Sequence, residues 1–478
     1  MKKKKILQAL AFLLTAIIAT SLAAPASAKA EQFRETCVAE EEIENTLYGE
    51  QRFYIIDVSG AVTEYVYNCK GLLVEETDPL GAVTTYEYDS ADRVSKMTTP
   101  DGTVTEYVYT AEGNVAKITA RKITGETETL QYLYAPDGSL VTASTGTTMD
   151  EYTYTAHGAV ASVTRNGKYR LELGYDANGN LIELKELRCG MTAADSVTTY
   201  AYDAYDRLVK ATQDGTLLAE YSYTVNGKIK QQVDGAGNIT EYTYDDMENL
   251  ASMETKTATD IVLYREENSY NDNGSVTTRV VSGVVPEATG AEGAFHYIYD
   301  ESDRLLKEEG TYGTICYTYD SMGNRLTKTE NGVTTYYTYD LCNKLLSETV
   351  NGAVTSYVYD AMGNLVKKTG TEGTTSYIYN AFNQLEKVTN PYGICQENSY
   401  DAFGIRSALM ENGVTTEYMT YNGMVLAGYN KSGERTEHYS YGNKILTREA
   451  YLTEDTNPFL YSGEQYDETS DLSWRHLE

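Results

Sequence analysis

The stretch that decides the fold reads Thr334-Thr335-Tyr336-Tyr337-Thr338-Tyr339-Asp340-Leu341-Cys342-Asn343-Lys344-Leu345-Leu346. About twenty residues later it returns as Thr355-Ser356-Tyr357-Val358-Tyr359-Asp360-Ala361-Met362-Gly363-Asn364-Leu365. The first tyrosine of this Tyr-x-Tyr-Asp motif occupies Tyr297, Tyr317, Tyr337, Tyr357 and Tyr377, which gives a period of 20 residues. A fixed period of this size is the signature of a repeat architecture.

Each repeat predicts two short strands joined by a turn. Tyr337 and Tyr339 lie two residues apart, so on a strand both side chains point to the same face. Asp340 then provides turn chemistry, because its side chain can bond to nearby backbone groups. Residues 344–350 predict the return strand, and Asn351-Gly352 is a strong hairpin signal. We therefore expect an all-β protein built as a long antiparallel meander.

The motif Tyr-x-Tyr-Asp-x-x-Gly-Asn/Arg-Leu at this period resembles the YD repeat of the RHS family. That family includes bacterial RHS toxins, wall-associated proteins and the extracellular part of animal teneurins. About 18 copies, some degenerate, run from Tyr65 to Tyr441. We expect the motif residues to be structural; they include Tyr86, Tyr88, Asp89, Tyr200, Tyr202, Asp203, Tyr297, Tyr299, Asp300, Tyr317, Tyr319, Asp320, Gly323, Tyr337, Tyr339, Asp340, Tyr357, Tyr359, Asp360 and Gly363.

The size of the array predicts that its sheet coils. Roughly 36 strands at ~4.8 Å spacing would make a sheet ~170 Å wide. Open twisted sheets rarely exceed ~10 strands without curling, so we expect a spiral or a partial β-cocoon shell. The family resemblance implies the same hollow cocoon. One circuit of a shell ~50 Å across would use most of the sheet, and a closed capsule would need more chain.

The N-terminus predicts export. Residues 1–28 resemble a secretory signal peptide, with lysines at 2–5, an apolar segment over 6–22 and a small-residue cleavage site at Ala26 and Ala28. The alternative is an uncleaved membrane anchor, and no later stretch predicts a transmembrane segment. We expect a secreted or cell-surface protein with a lead-in or cap over residues 29–60, repeats over 61–449 and a terminal motif over 450–478.

Two segments interrupt the array. Residues 185–197 lengthen one unit, and residues 254–294 lengthen another. Insertions in repeat arrays usually lie in loops on one face, which is often the binding face.

The charge excludes one class of partner. The formal net charge is −31, and phosphate binding needs basic patches, so we expect no nucleic acid partner. The segment Asp176-Ala177-Asn178-Gly179-Asn180 is the nearest approach to a calcium loop, but its glycine is misplaced. We therefore expect no metal and no cofactor. The six cysteines show no zinc spacing, and we name no disulfide.

The sequence offers no catalytic constellation. Only His157, His296, His438 and His476 could serve as a general base. His296 and His438 each precede a repeat tyrosine, which predicts a place on the strand surface rather than in a triad. There is no nucleophile elbow, phosphate loop or metalloprotease helix motif. We expect a protein that is not an enzyme.

The C-terminal segment resembles the opening of the family's terminal motif. The match runs over residues 457–467, whereas residues 470–478 depart from the family pattern. In RHS toxins, aspartates just beyond the repeats release the enclosed toxin, and no position here carries that role. We expect a core truncated before its toxin, with an unpaired strand edge after Tyr466 that favours weak self-association.

Two functions remain open at this stage. The first is a secreted, non-enzymatic scaffold that encapsulates or presents a C-terminal toxin, as the resemblance implies. The second is a module that binds cell-wall or surface carbohydrate, because exposed tyrosines suit stacking on sugar rings.

Overall fold

The computed structural model describes residues 37–45, 50–191, 193–283, 292–393, 395–442, 445–450, 465–467 and 472–474. Across these ranges the chain forms β-strands and turns and contains no helix, so it also has no helix that could span a membrane. The all-β prediction is confirmed.

Forty strands follow one another in the part of the chain that the structure describes. They are β1 Cys37–Asn45, β2 Glu50–Asp57, β3 Val62–Tyr67, β4 Leu73–Thr77, β5 Val83–Tyr88, β6 Val94–Thr98, β7 Val104–Tyr109, β8 Val115–Arg121, β9 Thr127–Tyr134, β10 Leu140–Ser144, β11 Met149–Tyr154, β12 Val160–Arg165, β13 Tyr169–Tyr175, β14 Leu181–Arg188, β15 Ser196–Tyr202, β16 Leu208–Gln213, β17 Thr216–Tyr223, β18 Ile229–Asp234, β19 Ile239–Tyr244 and β20 Leu250–Lys256. The second half comprises β21 Val262–Tyr270, β22 Val276–Ser282, β23 Gly293–Tyr299, β24 Leu305–Gly310, β25 Gly313–Tyr319, β26 Arg325–Glu330, β27 Val333–Tyr339, β28 Leu345–Val350, β29 Ala353–Tyr359, β30 Leu365–Gly370, β31 Gly373–Tyr379, β32 Leu385–Thr389, β33 Cys395–Tyr400, β34 Arg406–Glu411, β35 Val414–Tyr421, β36 Met424–Asn430, β37 Arg435–Tyr441, β38 Ile445–Ala450, β39 Gln465–Asp467 and β40 Leu472–Trp474.

The first 38 strands form one antiparallel sheet in which each strand pairs with its neighbours in sequence. Strands β3 to β38 make 18 hairpins, in agreement with the predicted number of about 18 repeats. The sheet also extends into the predicted lead-in, because β1 and β2 continue the same ladder. Strands β39 and β40 form a separate pair.

A register shift recurs at the same place in the repeats. In the β27–β28 hairpin Thr338 pairs with Ser347, but Tyr339 pairs with Leu345, so one residue of β28 is left over. The same irregularity precedes the second tyrosine of the neighbouring hairpins. Such a bulge bends its strand and increases the local twist. Repetition at every hairpin therefore makes the sheet coil.

The second tyrosine of the motif bonds to the previous repeat. The Tyr339 hydroxyl donates to the carbonyl oxygen of Arg325 at 2.9 Å, and the Tyr359 hydroxyl donates to that of Leu345 at 2.8 Å. Among the described residues, sixteen tyrosines make this bond, fifteen to the first residue of the preceding return strand and Tyr441 to the second. They are Tyr88, Tyr109, Tyr134, Tyr154, Tyr175, Tyr202, Tyr223, Tyr244, Tyr270, Tyr299, Tyr319, Tyr339, Tyr359, Tyr379, Tyr400 and Tyr441.

This bond explains the amino-acid composition. The chain has 45 tyrosines but only 7 phenylalanines. A phenylalanine would fill the same space on the sheet, but it would leave the carbonyl at the bulge without its partner. A partly buried polar group without a hydrogen bond destabilises the folded state. The hydroxyl is therefore the part of the motif that joins one repeat to the next.

One sequence expectation needs correction. Residues 254–294 do not merely lengthen a unit, because they contain the complete hairpin β21–β22. Its Tyr270 hydroxyl donates to the Leu250 carbonyl at 2.8 Å, like the other second tyrosines. Asn271 takes the place of the motif aspartate in the turn. The repeat was hidden because Asn268-Ser269-Tyr270 lacks the first tyrosine. The other segment, between β14 and β15, is a longer loop as predicted.

The sheet coils by more than one circuit. The Cys342 thiol lies 3.5 Å from the Asp78 carboxylate, and the 23 strands β5 to β27 lie between these two points in sequence. At ~4.8 Å per strand this circuit measures ~110 Å around, or ~35 Å across. A circuit of this width uses only part of the sheet, so the remaining strands overlap the first ones.

The largest apolar cluster lies where the two circuits overlap. Tyr169 and Leu171 of β13 belong to it together with Tyr418 of β35 and Tyr429 of β36. The rings of Tyr169 and Tyr429 stack with centroids 4.1 Å apart. Strands β36 and β37 are buried on both faces, unlike the one-sided strands before them. The core of this repeat protein is therefore formed by contact between distant repeats.

Several sequence predictions lie outside the described residues. These are the signal peptide over 1–28 with its cleavage site at Ala26 and Ala28, most of the lead-in before β2, and most of the terminal motif over 450–478.

The tyrosine hydroxyl bond gives a test of stability. We expect Tyr339→Phe and Tyr359→Phe each to lower the free energy of unfolding by about 1 kcal/mol, since one hydrogen bond is worth ~0.5–1.5 kcal/mol. Urea unfolding of the purified protein measures this change. Tyr336→Phe is the matched control, because Tyr336 is 58% exposed on the opposite face. Equal losses in all three variants would contradict a specific role for the second tyrosine.

Candidate functional site: the seam between the circuits

The motif aspartates hold the turn at one end of each hairpin. Asp320 Oδ1 accepts the backbone N–H groups of Met322 and Asn324 at 2.9 and 2.8 Å, and Oδ2 accepts the Asn324 side-chain amide at 2.9 Å. The same pair of backbone bonds is made by Asp89, Asp203, Asp300, Asp340 and Asp360. These carboxylates are engaged by their own turns.

The first tyrosines of the motif lie on the same face as the second ones. Tyr337 is buried, whereas Tyr86, Tyr200, Tyr297, Tyr317 and Tyr357 are half-buried. The Arg325 guanidinium lies over the rings of Tyr337 and Tyr317, 4.4 and 5.9 Å from their centroids. The rings therefore pack between neighbouring hairpins.

Neighbouring turns are joined in pairs. If the motif aspartate is counted as the first residue of the turn, the fourth residue is Gly323, with a φ of 86°. In the next repeat the fourth residue is Asn343, with a φ of 61°. Asn343 Oδ1 accepts the side-chain amide of Asn324 at 2.7 Å. Glycine and a polar residue alternate in this position from Gly179 to Gly404, and each polar residue bonds to the preceding turn; they are Asp206, Glu248, Asp303, Asn343 and Asn383.

The seam is the set of contacts between residues 78–213 of the first circuit and residues 342–440 of the second. Its side-chain bonds join residues that are 225 to 270 positions apart. The Lys122 ammonium donates to the Tyr379 carbonyl at 2.5 Å, and the Tyr132 hydroxyl donates to the Ala402 carbonyl at 2.6 Å. The second circuit therefore runs alongside the first in the same direction.

A buried ionic group lies in the middle of the seam. Arg165, at the end of β12, binds both carboxylate oxygens of Asp150 at 2.8 and 2.7 Å. It also binds Asp401 of the second circuit at 2.8 Å and donates to the Tyr418 carbonyl at 2.8 Å. All three charged side chains are at most 4% exposed. One cation thus faces two buried carboxylates, and burial raises the pKa of Asp401.

A second polar cluster lies further along the seam, at His438 of β37. His438 is fully buried, with Nε2 2.8 Å from Glu186 Oε1 and Nδ1 3.2 Å from the Gln213 side-chain nitrogen. Ser440 donates to the Gln213 side-chain oxygen. The expectation that His438 lies on the strand surface is wrong, because the first circuit covers this strand. His296, by contrast, is exposed.

The His438 cluster is not arranged as a nucleophilic triad. Glu186 and Gln213 occupy the two ring nitrogens, and Ser440 bonds to Gln213 instead of to the imidazole. A triad needs the nucleophile on one ring nitrogen and the carboxylate on the other. Within the described ranges no group of three or more His, Cys, Asp or Glu side chains is placed to hold a metal ion. The seam joins the circuits through structural contacts.

Sequence reasoning did not identify the seam residues. Arg165 is one basic residue at the end of a strand, just before a hairpin turn, and its partner Asp401 fits the motif of an ordinary repeat. The one available signal was that Asp150 and Glu186 are acidic residues within strands near apolar neighbours.

Two family models match the chain. The RHS repeat model matches residues 67–104, and the teneurin YD-shell model matches residues 163–285 and 241–444. The second model therefore covers more than half of the chain. The chain belongs to the YD-shell family. No curated protein sequence matches it.

Solved structures of Tc toxins share this fold. A Photorhabdus luminescens Tc holotoxin pore with a TccC3 mutation aligns with a TM-score of 0.55 at 13% identity, over 87% of this chain and 28% of that chain. The TcdB2-TccC3-Cdc42 crystal structure aligns with a TM-score of 0.56 at 13% identity, over 88% and 29%. The TcdB2-TccC3 crystal structure aligns at 0.55 and 14%, over 88% and 29%. This YD-shell chain spans less than a third of the length of those chains.

The buried ionic group of the seam gives a test of pH dependence. A carboxyl whose pKa is raised by folding contributes stability below its ordinary pKa and loses that contribution as the pH rises through the folded value. We therefore expect Asp401→Asn to gain stability relative to the wild type between about pH 4 and pH 7. Asn also keeps the turn bonds, as Asn380 does in its own repeat.

Two further variants are compared with Asp401→Asn. Arg165→Met leaves two buried carboxylates without their cation, and breaking a buried ion pair costs ~3–5 kcal/mol. Arg207→Met is the matched control, because Arg207 pairs with Asp203 in a half-buried turn within the first circuit. Thermal melts over this pH range measure all three. A stability difference between Asp401→Asn and the wild type that does not change with pH would contradict the assignment.

Proposed function

We propose that this YD-shell chain is a secreted, non-enzymatic scaffold that forms part of the wall around a C-terminal effector, or presents that effector. The observation that carries the proposal is the overlap of two circuits, joined by an apolar cluster and two buried polar clusters. Such a seam holds the two circuits together, as a wall around an effector requires.

The motif residues support a scaffold because their polar groups already have protein partners. The tyrosine hydroxyls bond to backbone carbonyls and the aspartates bond to their own turns. Carbohydrate stacking on the repeat tyrosines, the second function considered from sequence, would need exposed ring faces. The half-buried packing of these rings between hairpins favours the scaffold.

Protection of a fused cargo tests the proposal. A flexible peptide with a protease site and an epitope is fused after Glu478, and its cleavage is followed over time. We expect slower cleavage in the wild-type shell than in the same peptide free in solution. We also expect Arg165→Met, which weakens the seam, to restore fast cleavage, and Arg207→Met to leave it slow. Equal cleavage in the free and fused peptides would contradict enclosure by the wall.

Export is tested separately at the N-terminus. We expect the protein recovered outside the producing cell to begin at Lys29, because Ala26 and Ala28 form a small-residue cleavage site. Mass spectrometry of the intact protein measures this end. Recovery of the full sequence in the membrane fraction would show an uncleaved anchor.

A further inference from the structure

Carboxyl groups of the two circuits meet across the seam at two places. The first is the buried ionic group, where Arg165 Nη2 lies 2.7 Å from Asp150 Oδ2 and 2.8 Å from Asp401 Oδ2. Because both oxygens contact the same nitrogen, they are at most 5.5 Å apart, which is the sum of these two distances. Two carboxylates this close inside a protein repel each other strongly.

One guanidinium serves both carboxylates of this group. Burial raises the pKa of Asp401, and the Asp150 carboxylate raises it further, against the opposite effect of Arg165. The three side chains are at most 4% exposed, so water does little to screen the repulsion. With both carboxyl groups ionised, the group holds one negative charge in excess.

Three further ionisable side chains lie near Asp401 or on its hairpin. Burial raises the pKa of the Tyr132 hydroxyl to about 12, and it raises the pKa of Tyr152 as well, so both stay neutral. Arg406 of β34 is buried and takes the register position of Arg325, on the tyrosine face of its hairpin. Arg165 is the cation that bonds to the Asp401 side chain.

The second place lies earlier along the seam, at Glu128 of β9. Its carboxylate accepts the backbone N–H of Ala381 in the second circuit, but within the described ranges Oε2 is buried and accepts no hydrogen bond. Burial raises the pKa of Glu128, and the Glu386 carboxylate of β32 raises it further. Glu126 acts in the same direction more weakly, and Lys122 opposes it. A carboxyl group of each circuit is therefore present here too.

We propose that these carboxyl groups make the seam sensitive to pH, so that it holds the circuits together in mildly acidic solution and loosens as the pH rises. Both pairs join one circuit to the other, so their repulsion acts between the circuits and not within either one. A bound proton removes one charge of a pair. When the circuits separate, water reaches the carboxyl groups and their pKa values return to about 4.

The direction of the effect follows from proton linkage. A carboxyl group whose pKa is raised in the closed seam favours closure below its ordinary pKa, and that contribution is lost as the pH rises through the raised value. The window therefore starts at about pH 4 and extends upward. Asp401 and Glu128 act in the same direction, each by up to about tenfold in the opening equilibrium per pH unit. His438, which pairs with Glu186 further along the seam, is a separate titrating group.

The consequence for an enclosed effector rests on the proposed scaffold function. A wall with this seam stays closed in an acidic medium and opens towards neutral pH. Opening of the seam is measured without any cargo, so a failure of cargo protection and a failure of the pH response are separate results.

Labelling of a buried thiol measures the opening on the full chain. Ser407 of β34 is 5% exposed and accepts a hydrogen bond from Thr148 of the first circuit at 3.0 Å, so Ser407→Cys places a thiol inside the seam beside Asp401. A pyridyl disulfide reacts with thiols also in acid, and peptide mass spectrometry resolves each cysteine. Division by the rate of the exposed Cys69 removes the effect of pH on thiol reactivity.

The rate ratio is followed in the Ser407→Cys protein between about pH 5 and about pH 7. We expect it to rise by about tenfold or more over this range. Asp401→Asn combined with Glu128→Gln should remove most of the rise, because neither new side chain ionises. At about pH 7 this double variant should label about tenfold more slowly than its parent.

The matched control combines Asp245→Asn with Glu220→Gln. It removes the same two charges from the first circuit outside the seam, since Asp245 holds its own turn and Glu220 is exposed beside Lys210. We expect this control to keep the full rise of the rate ratio. Circular dichroism checks that every variant is folded over the pH range.

Three results would overturn the proposal. The first is a rate ratio that does not rise with pH in the folded parent protein. The second is a double variant at Asp401 and Glu128 whose ratio rises as steeply as that of the parent. The third is a control that loses the rise equally, which would assign the effect to the net charge of the chain.

Discussion

The structure depends on the bond between a tyrosine hydroxyl and a backbone carbonyl of the preceding repeat. The bulge before each second tyrosine bends the sheet and takes one backbone position out of the regular ladder. The tyrosine hydroxyl reaches back to the carbonyl at the corresponding position of the previous hairpin, at 2.5–3.1 Å. Coiling and its stabilisation therefore come from the same motif. A sheet of 38 strands can coil in this way because every repeat contributes the same small bend and the same bond.

The contacts between circuits follow a different principle. Within the sheet each repeat contacts only its neighbours, as in other repeat proteins. At the seam, residues more than 220 positions apart meet, and several of the side chains there, such as Arg165, Glu186 and Gln213, do not belong to the motif. Arg165 and His438 are both buried against the other circuit, and the position of His438, before the first tyrosine, is exposed in most other repeats. The long-range part of the fold is thus specified by departures from the repeat.

The difference between bonds that join neighbouring repeats and contacts that join distant circuits explains how much of the structure the sequence could predict. The period of 20 residues and the Asn-Gly turns were sufficient for the all-β class, the hairpins and the coiling, because those features are local. The width of the circuit could not be predicted, because it depends on the bend per repeat, and a strand count does not contain that angle. The burial of His438 was missed for a related reason, since its partner Glu186 lies 252 residues away. The hairpin that ends at Tyr270 was missed because only half of its tyrosine pair is present.

The alternation of turns has a consequence for how such arrays change length. From Gly179 to Gly404 a glycine turn is followed by a turn with a polar residue that bonds back to it, so the smallest unit that reproduces itself is two hairpins. Loss of a single hairpin in this region would bring two turns of the same kind together. One polar side chain would then lose its hydrogen-bond partner in the neighbouring turn. Loss or duplication of two hairpins would preserve the pattern. Arrays of this type are therefore expected to grow and shrink by about forty residues at a time, and family members should differ in length by even numbers of repeats.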